Sequence, residues 1–398
     1  MKKGWRLSTW GDEISLEYGK AIRGYQEAVA PYRVFGSNGP IGWTEIPLAE
    51  GPGIILGRKG AYRGVHFSAE PFFVIDTAYY VRPKTEYDMR WLYYAIIHHQ
   101  LGQIDDGSPI PSTTRAAVYV REIEVPPLSE QQAIAATLGA LDDKIELNRR
   151  MNATLEAMAR ALFRDWFVDF GPTRTKQEGG APTLSPDLWS LFPDRLDENG
   201  IPNGWEMAPL ASKFDLLMGQ SPPGSTYNDD GDGLPFFQGR TDFGFRFPKN
   251  RKYCSAPKRI AKPGDTLVSV RAPVGDINMA AEECCIGRGV ASLLHKSGAK
   301  SFTYYSAHAL QSEIQQYEHS GTVFGAINKR QFEAIITLDP GERLIATFEA
   351  IAGTLDQRVA LNERESRTLA KTRDLLLPRL MSGELRVREA EEMVEAAE

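Results

Sequence analysis

Cysteine is scarce. Cys254, Cys284 and Cys285 are the three in 398 residues, an odd set without metal-ligand spacing in which adjacent thiols rarely pair, so reduced cysteines and no metal are expected. No apolar run is long enough to span a bilayer, and the opening MKKGWRLSTWGDE lacks the apolar segment of a signal peptide. A cytoplasmic protein with no membrane partner is the expectation. Enzyme signatures are missing as well: there is no P-loop, no strand-linked Gly-x-Gly-x-x-Gly, no Gly-x-Ser-x-Gly and no His-Glu-x-x-His, so no catalytic residue is nominated. Asp105-Asp106 reads as a turn and Asp142-Asp143 as acids near a helix start, where they complement the dipole. His98-His99 falls on a helical stretch without other ligands at metal spacing, which points to packing or surface.

An excess of basic residues is also lacking. The formal charge is −6, whereas the footprint of a DNA binder is basic. Distribution weakens that objection, because Glu389 to Glu398 carries five glutamates and no basic residue, leaving a nearly neutral body that can still present a basic face.

What the chain does have is a repeated helix. Leu141, Asp142, Leu147, Asn148, Thr154, Leu155 and Leu162 recur as Leu355, Asp356, Leu361, Asn362, Thr368, Leu369 and Leu376, all at an offset of 214 residues; a constant offset is the mark of duplication. Leu141, Ile145, Asn148, Asn152, Leu155, Ala159 and Leu162 keep alternating spacings of four and three, the seam of a coiled coil. Leu355, Val359, Asn362, Ser366, Leu369, Arg373 and Leu376 form the second seam, and Asn148 and Asn362 are expected to fix register. Leu147, Met151, Met158 and Phe163 widen the first apolar face beyond what two strands need, which suits docking of a partner helix. The first copy is expected to start at Ser129, capped with the help of Gln132, and Gly139 and Gly353 mark a matched break or kink.

Around the helices lie two globular segments. Short alternating runs such as Gly53-Ile54-Ile55-Leu56 and Phe72-Phe73-Val74-Ile75, between turns rich in glycine, predict strands, while Met89 to Leu101 predicts a helix. Gly204-Trp205 echoes Gly4-Trp5, and Gly219 echoes Gly19. The expected class is α+β: two loop-rich α/β globules separated by two long helices in an antiparallel coiled coil, with an internal pseudo-twofold repeat. Boundaries follow at 1–127, 128–171, 172–203 for a Pro/Gly-rich linker, 204–340, 341–384 and an acidic tail at 385–398.

The strongest partner signal is Phe245 to Lys262, where Arg246, Lys249, Arg251, Lys252, Lys258, Arg259 and Lys262 alternate with Phe247 and Tyr253 and no acid intervenes. Such a run suits phosphate contact, and Arg240, Arg271 and Arg288 flank it; a solvated basic loop is the plain alternative. Arg58, Lys59 and Arg63 form the weaker counterpart in the first globule. Asn38, Gln220, Gln238 and Arg240 stand beside turn residues and carry side chains able to pair with base edges, although such residues often serve only the loop backbone.

The chain resembles a specificity subunit of a type I restriction-modification system. The marks are Val125-Pro126-Pro127-Leu128-Ser129-Glu130-Gln131-Gln132 leading into Leu141-Asp142-Asp143-Lys144-Ile145, the return of that helix at Leu355, and Gly107-Ser108 and Gly321-Thr322 ahead of each helix. The second copy departs by having Pro340-Gly341-Glu342-Arg343 in place of the Pro-Pro-Leu-Ser-Glu-Gln run. The resemblance implies two target-recognition domains that each read half of a split double-stranded DNA target. It also implies helices that space them and dock two methyltransferase subunits, with restriction and motor subunits joining. No cofactor is expected on this chain: S-adenosylmethionine would sit on the methyltransferase and ATP on the motor subunit. Leu141 to Phe167 as a helix spans about 40 Å at roughly 1.5 Å per residue, comparable with the roughly 34–36 Å of one DNA turn. A coiled-coil scaffold whose globules bind other ligands, or an enzyme with an unfamiliar site, are the alternatives.

Overall fold

The computed structural model describes residues 4–26, 28–105, 107, 109–319 and 325–390. The expectations on Asp106, Ser108, Gly321-Thr322 and the tail beyond residue 390 lie outside the described residues. The fold is α+β and divides into two units, Met1–Arg149 with Glu363–Glu398, and Arg150–Asn362. Two 40-residue helices, Leu128–Phe167 and Glu342–Met381, each contribute to both units.

In the first unit Arg6–Thr9 pairs antiparallel with Glu122–Val125. A four-stranded antiparallel sheet runs Ile14–Tyr18, Ala78–Pro83, Gly53–Gly57, Val65–Ser68. A three-stranded sheet runs Gly39–Thr44, Tyr32–Gly36, Phe72–Val74, its last pair parallel. The strand Gly53–Gly57 is buried throughout. Because strand side chains alternate, Ile54 and Leu56 enter a core with Trp91 and Leu138, whereas Ile55 enters a smaller one with Phe35 and Phe72. The helix Met89–His98 begins where Asp88 accepts hydrogen bonds from the amides of Arg90 and Trp91. It stops short of the expected Leu101, with Gln100 in a left-handed conformation at φ 54°. His99 serves packing, its ring edge-on to Trp10 at 5.4 Å, and burial pushes its pKa down to about 4.

Glu13 anchors this unit's edge. Its buried carboxylate is held by Arg6, through Nη2 at 2.7 Å, and by the Tyr87 hydroxyl, and the Arg6 hydrogen bond lowers its pKa to about 2. A depressed carboxylate pKa gives stability that is complete above the unfolded value of 4.5 and lost as pH falls toward 2. Glu13→Gln is therefore expected to flatten the acid limb of the stability profile by roughly 1–3 kcal/mol, read from urea denaturation at pH 6 and pH 3; parallel profiles would contradict the assignment.

The second unit repeats the order of pairings. Glu206–Pro209 pairs with Ile336–Asp339, and a four-stranded antiparallel sheet runs Phe214–Met218, Val290–His295, Thr266–Ser269, Ile277–Met279. Leu234–Phe237 lies parallel to Cys284–Ile286 within a five-stranded sheet. The three cysteines are free and buried; burial raises the Cys284 and Cys285 thiols to about 12 and 11, so they are protonated at neutral pH.

Several helix expectations need correction. The first long helix begins at Leu128, within a residue of the expected start: the Pro127 carbonyl accepts from the amides of Glu130 and Gln131. Gln131, not Gln132, secures the start, donating to the Pro126 carbonyl at 3.0 Å and accepting from the Asp88 amide at 3.1 Å. Neither Gly139 nor Gly353 breaks its helix. A Cβ on Gly139 would lie 3.0 Å from the Arg90 guanidinium, so the glycine makes room for Arg90 to reach Asp143 at 2.6 and 2.8 Å. Asp142 is well inside the helix, where it accepts from Tyr94 and Arg373, each at 2.6 Å, so side-chain partners rather than the dipole explain it.

Along the seam Leu141, Ile145, Asn148, Asn152, Ala159, Val359, Asn362 and Leu376 are buried. In the first unit Asn148 donates to Glu365 Oε2 at 2.7 Å and Ser366 Oγ at 3.3 Å. In the second, Asn362 donates to Asn152 Oδ1 at 2.8 Å. The stretch expected as a linker is packed: it contains helices Gly171–Gln177 and Pro186–Trp189, and Phe192 is buried against Trp166 at 5.1 Å. At the other end Leu385 and Ala390 join the first unit's core, so the start of the acidic segment is structural. Among the described residues no helix is long and apolar enough to cross a membrane.

Candidate nucleic-acid interface

Two clefts of about 630 and 550 Å³ meet in the second unit, sharing Tyr227, Gln238, Gly239 and Thr241. Phe236 of the strand Leu234–Phe237 lines the smaller cleft, and that strand runs parallel to Cys284–Ile286. Past the strand ends Gly287 donates to the Phe237 carbonyl at 2.8 Å. A Cβ on Gly289 would sit 2.1 Å from the Gln238 carbonyl, so only glycine lets the two turns come this close. The result sets exposed Gln238 and exposed Arg288 beside one another. Arg288 Nε leans on Ser221 Oγ at 3.4 Å, next to exposed Gln220, whose amide donates to the Ile286 carbonyl.

Of the expected DNA contacts, Gln238, Arg240 and Arg271 line the larger cleft and Gln238, Arg251 and Lys252 the smaller. Three of these cations are held by acids: Arg240 by Asp276 at 2.9 Å, Arg251 by Asp242 at 2.5 Å and Lys252 by Asp229 at 2.7 Å. Among the described residues Arg271 and Arg288 have no carboxylate within ion-pair distance, which leaves them available to an anion.

Arg246, the first cation of the basic run, points the other way. It is fully buried, with Nη1 on Asp356 Oδ1 at 2.7 Å, Nη2 on Glu156 Oε2 at 3.2 Å and on the Tyr305 hydroxyl at 3.0 Å. Its guanidinium lies 4.1 Å from the centre of the Tyr304 ring. This residue anchors the loop to both long helices and is no surface contact.

The first unit gathers a different set. Ser37 Oγ and the Arg58 amide both donate to the Thr77 carbonyl, at 2.6 and 3.0 Å, which brings exposed Asn38 and half-buried Arg58 to one corner. Arg58 also donates to the Asp76 carbonyl at 3.0 Å and lies over the Tyr18 ring at 5.1 Å. Arg115 covers the same ring at 4.2 Å, and Tyr18 is half exposed. Exposed Lys59 bridges through its backbone to Ser112. Arg63 is half-buried and less available: its Nε donates to the Gly102 carbonyl at 3.0 Å and its Nη1 is buried. Tyr18, Arg115, Tyr227 and Ser221 went unnoticed in the sequence. The one available signal was Tyr18 preceding Gly19, the match of Gly219.

A family model described as the type I restriction modification DNA specificity domain matches residues 40–157. A putative type I restriction enzyme MjaX specificity subunit of Methanocaldococcus jannaschii is 28% identical over 396 residues, spanning 95% of this chain and 84% of its own length. By these matches the chain is similar to type I restriction-modification specificity subunits. The HindI specificity subunit of Haemophilus influenzae is 26% identical over 327 residues, 69% of this chain and 71% of its own. In fold, the solved type I restriction-modification S subunit from M. genitalium is similar with a TM-score of 0.60, covering 95% of this chain and 96% of that one at 17% identity.

On the first long helix, Leu147 and Met158 are exposed and Met151 is half-buried. Phe163 does not belong with them. It is buried in the second unit among Phe167 at 5.1 Å, Phe348 at 5.4 Å and Phe302 at 5.8 Å. The helix Lys300–Ala309 covers that flank of the long helix, a contact invisible in the local spacing. Among the described residues no three His, Cys, Asp or Glu side chains are grouped to hold a metal.

Proposed function

We propose that this chain is the sequence-specific DNA-binding subunit of a type I restriction-modification complex, each globular unit reading one half of a bipartite double-stranded target. The observation that carries the reading is the pair of joined clefts where Gln238, Arg271 and Arg288 converge. An amide and guanidinium groups are the side chains that pair with adenine and guanine edges, while Lys and Arg neutralise phosphates. The recurrence of the same pairing order in both units supports an internal pseudo-twofold repeat, in which unlike clefts read unlike half-sites. Asn148, Asn362 and the buried seam support an antiparallel coiled coil as spacer. Exposed Leu147 in the first unit and exposed Met158 in the second, the latter with half-buried Met151, supply apolar side chains for two methyltransferase subunits, with restriction and motor subunits completing the complex. The chain itself performs no chemistry in this reading. S-adenosylmethionine binds the methyltransferase and ATP the motor subunit.

The test is selection from random duplexes by the chain together with its methyltransferase, followed by sequencing. Enrichment of one split motif is expected. Recovery without enrichment would favour a scaffold that binds something else, and methyl transfer from S-adenosylmethionine by the chain alone would overturn the non-catalytic assignment.

A further inference from the structure

Five basic side chains line the joined clefts of the second unit, Arg240, Arg251, Lys252, Arg271 and Arg288, and the first three are already engaged by carboxylates. Asp242 Oδ1 accepts from Arg251 Nε at 2.7 Å and Nη2 at 2.5 Å, Asp229 Oδ2 accepts from Lys252 at 2.7 Å, and Asp276 Oδ2 accepts from Arg240 at 2.9 Å. The acids lie 9, 23 and 36 residues from their partners, so the pairs are products of the fold and not of local sequence. Each sits at the surface, with the cations more than half exposed. As stabilising contacts such pairs contribute little, about 0–1 kcal/mol. Their effect on a polyanion is larger. Non-specific DNA binding rises from cations that displace condensed counterions, and a cation already neutralised by a fixed acid displaces none until that acid is pushed aside.

We propose that Asp229, Asp242 and Asp276 are specificity-determining residues, which withhold three cations of the cleft from the phosphates of random sequence. The correct half-site still binds, through base contacts that the acids do not block and through Arg271 and Arg288. The effect is discrimination by weakening the wrong complexes. This inference rests on the DNA-binding reading above.

The experiment compares the full chain with its Asp229→Asn, Asp242→Asn, Asp276→Asn and triple variants. Affinity for a random-sequence duplex, and for the duplex recovered by selection, is measured from 50 to 200 mM salt. Each released cation should strengthen random-duplex binding and steepen its salt slope by about 0.9, making the gain roughly 3-fold larger at 50 than at 200 mM. The recovered duplex should gain less, so the ratio of the two affinities falls. Asp230→Asn is the control: Asp230 is exposed beside Asp229 and holds none of these cations. Asp242 is the most buried of the three acids, so if its variant misfolds, the Asp229→Asn/Asp276→Asn pair carries the test. Unchanged slopes, or an equal gain from Asp230→Asn, overturn the proposal while leaving DNA binding intact. A wild-type chain that retains no duplex at all overturns the DNA-binding reading, and this inference with it.

Discussion

Arg246→Ala should destabilise the second unit by about 3–5 kcal/mol, the cost of removing one partner from a buried ion network. The guanidinium is fully buried and bridges Asp356 and Glu156. Truncation leaves two nearly buried carboxylates and the Tyr305 hydroxyl facing a cavity. Glu156 retains Arg160 at 2.6 Å, so Asp356 suffers most, keeping only the Tyr305 hydroxyl at 2.8 Å among the described residues. A loss of that size in a unit of this length corresponds to roughly 6–20 °C in Tm. Arg246→Lys should rescue little, because a point ammonium cannot satisfy two carboxylates and stay over the Tyr304 ring together. Scanning calorimetry would resolve the effect, and a variant melting within 2 °C of wild type would refute it.

That same residue marks the limit of what the sequence discloses. The seam from Leu141 to Leu162 was legible because spacings of four and three are local facts, and the structure buries its central positions accordingly. Strand Gly53–Gly57 was legible for a similar reason, a short apolar run between turn glycines. Arg246 stands in an unbroken basic run and reads as exposed; its fate depends on Glu156 and Asp356, 90 and 110 residues away. Phe163 fails for the same cause, since the helix that covers it is distant in sequence. Arg63 is drawn inward by a carbonyl 39 residues on. The candidate cleft was therefore legible only in part: the turn at Gly239 bearing Gln238 and Arg240 could be read, while the pairing of each cation could not.

The pairing changes which mutant should matter most for binding. The basic run singles out Arg251 and Lys252, yet both hold acids, and replacing them removes cations that contribute little free charge. Arg271→Ala with Arg288→Ala is expected to have the larger effect. Both arginines flank Gln238 in the larger cleft without a carboxylate partner, so each can lay its guanidinium against a guanine edge or a phosphate. A good base contact contributes about 1–3 kcal/mol of discrimination, and losing two should weaken binding to the selected duplex by roughly 2–6 kcal/mol. Because the side chains are exposed and do not pack in the core, Tm should hold within about 2 °C. Relaxed preference in one half-site with the other retained would assign the pair to base reading. A uniform loss across sequences, with a shallower salt slope, would assign it to phosphate contact instead. Affinity no weaker than that of the Arg251→Ala/Lys252→Ala variant would mean that the acids do not restrain their partners, and the ion pairs seen in the clefts would then carry no weight in recognition.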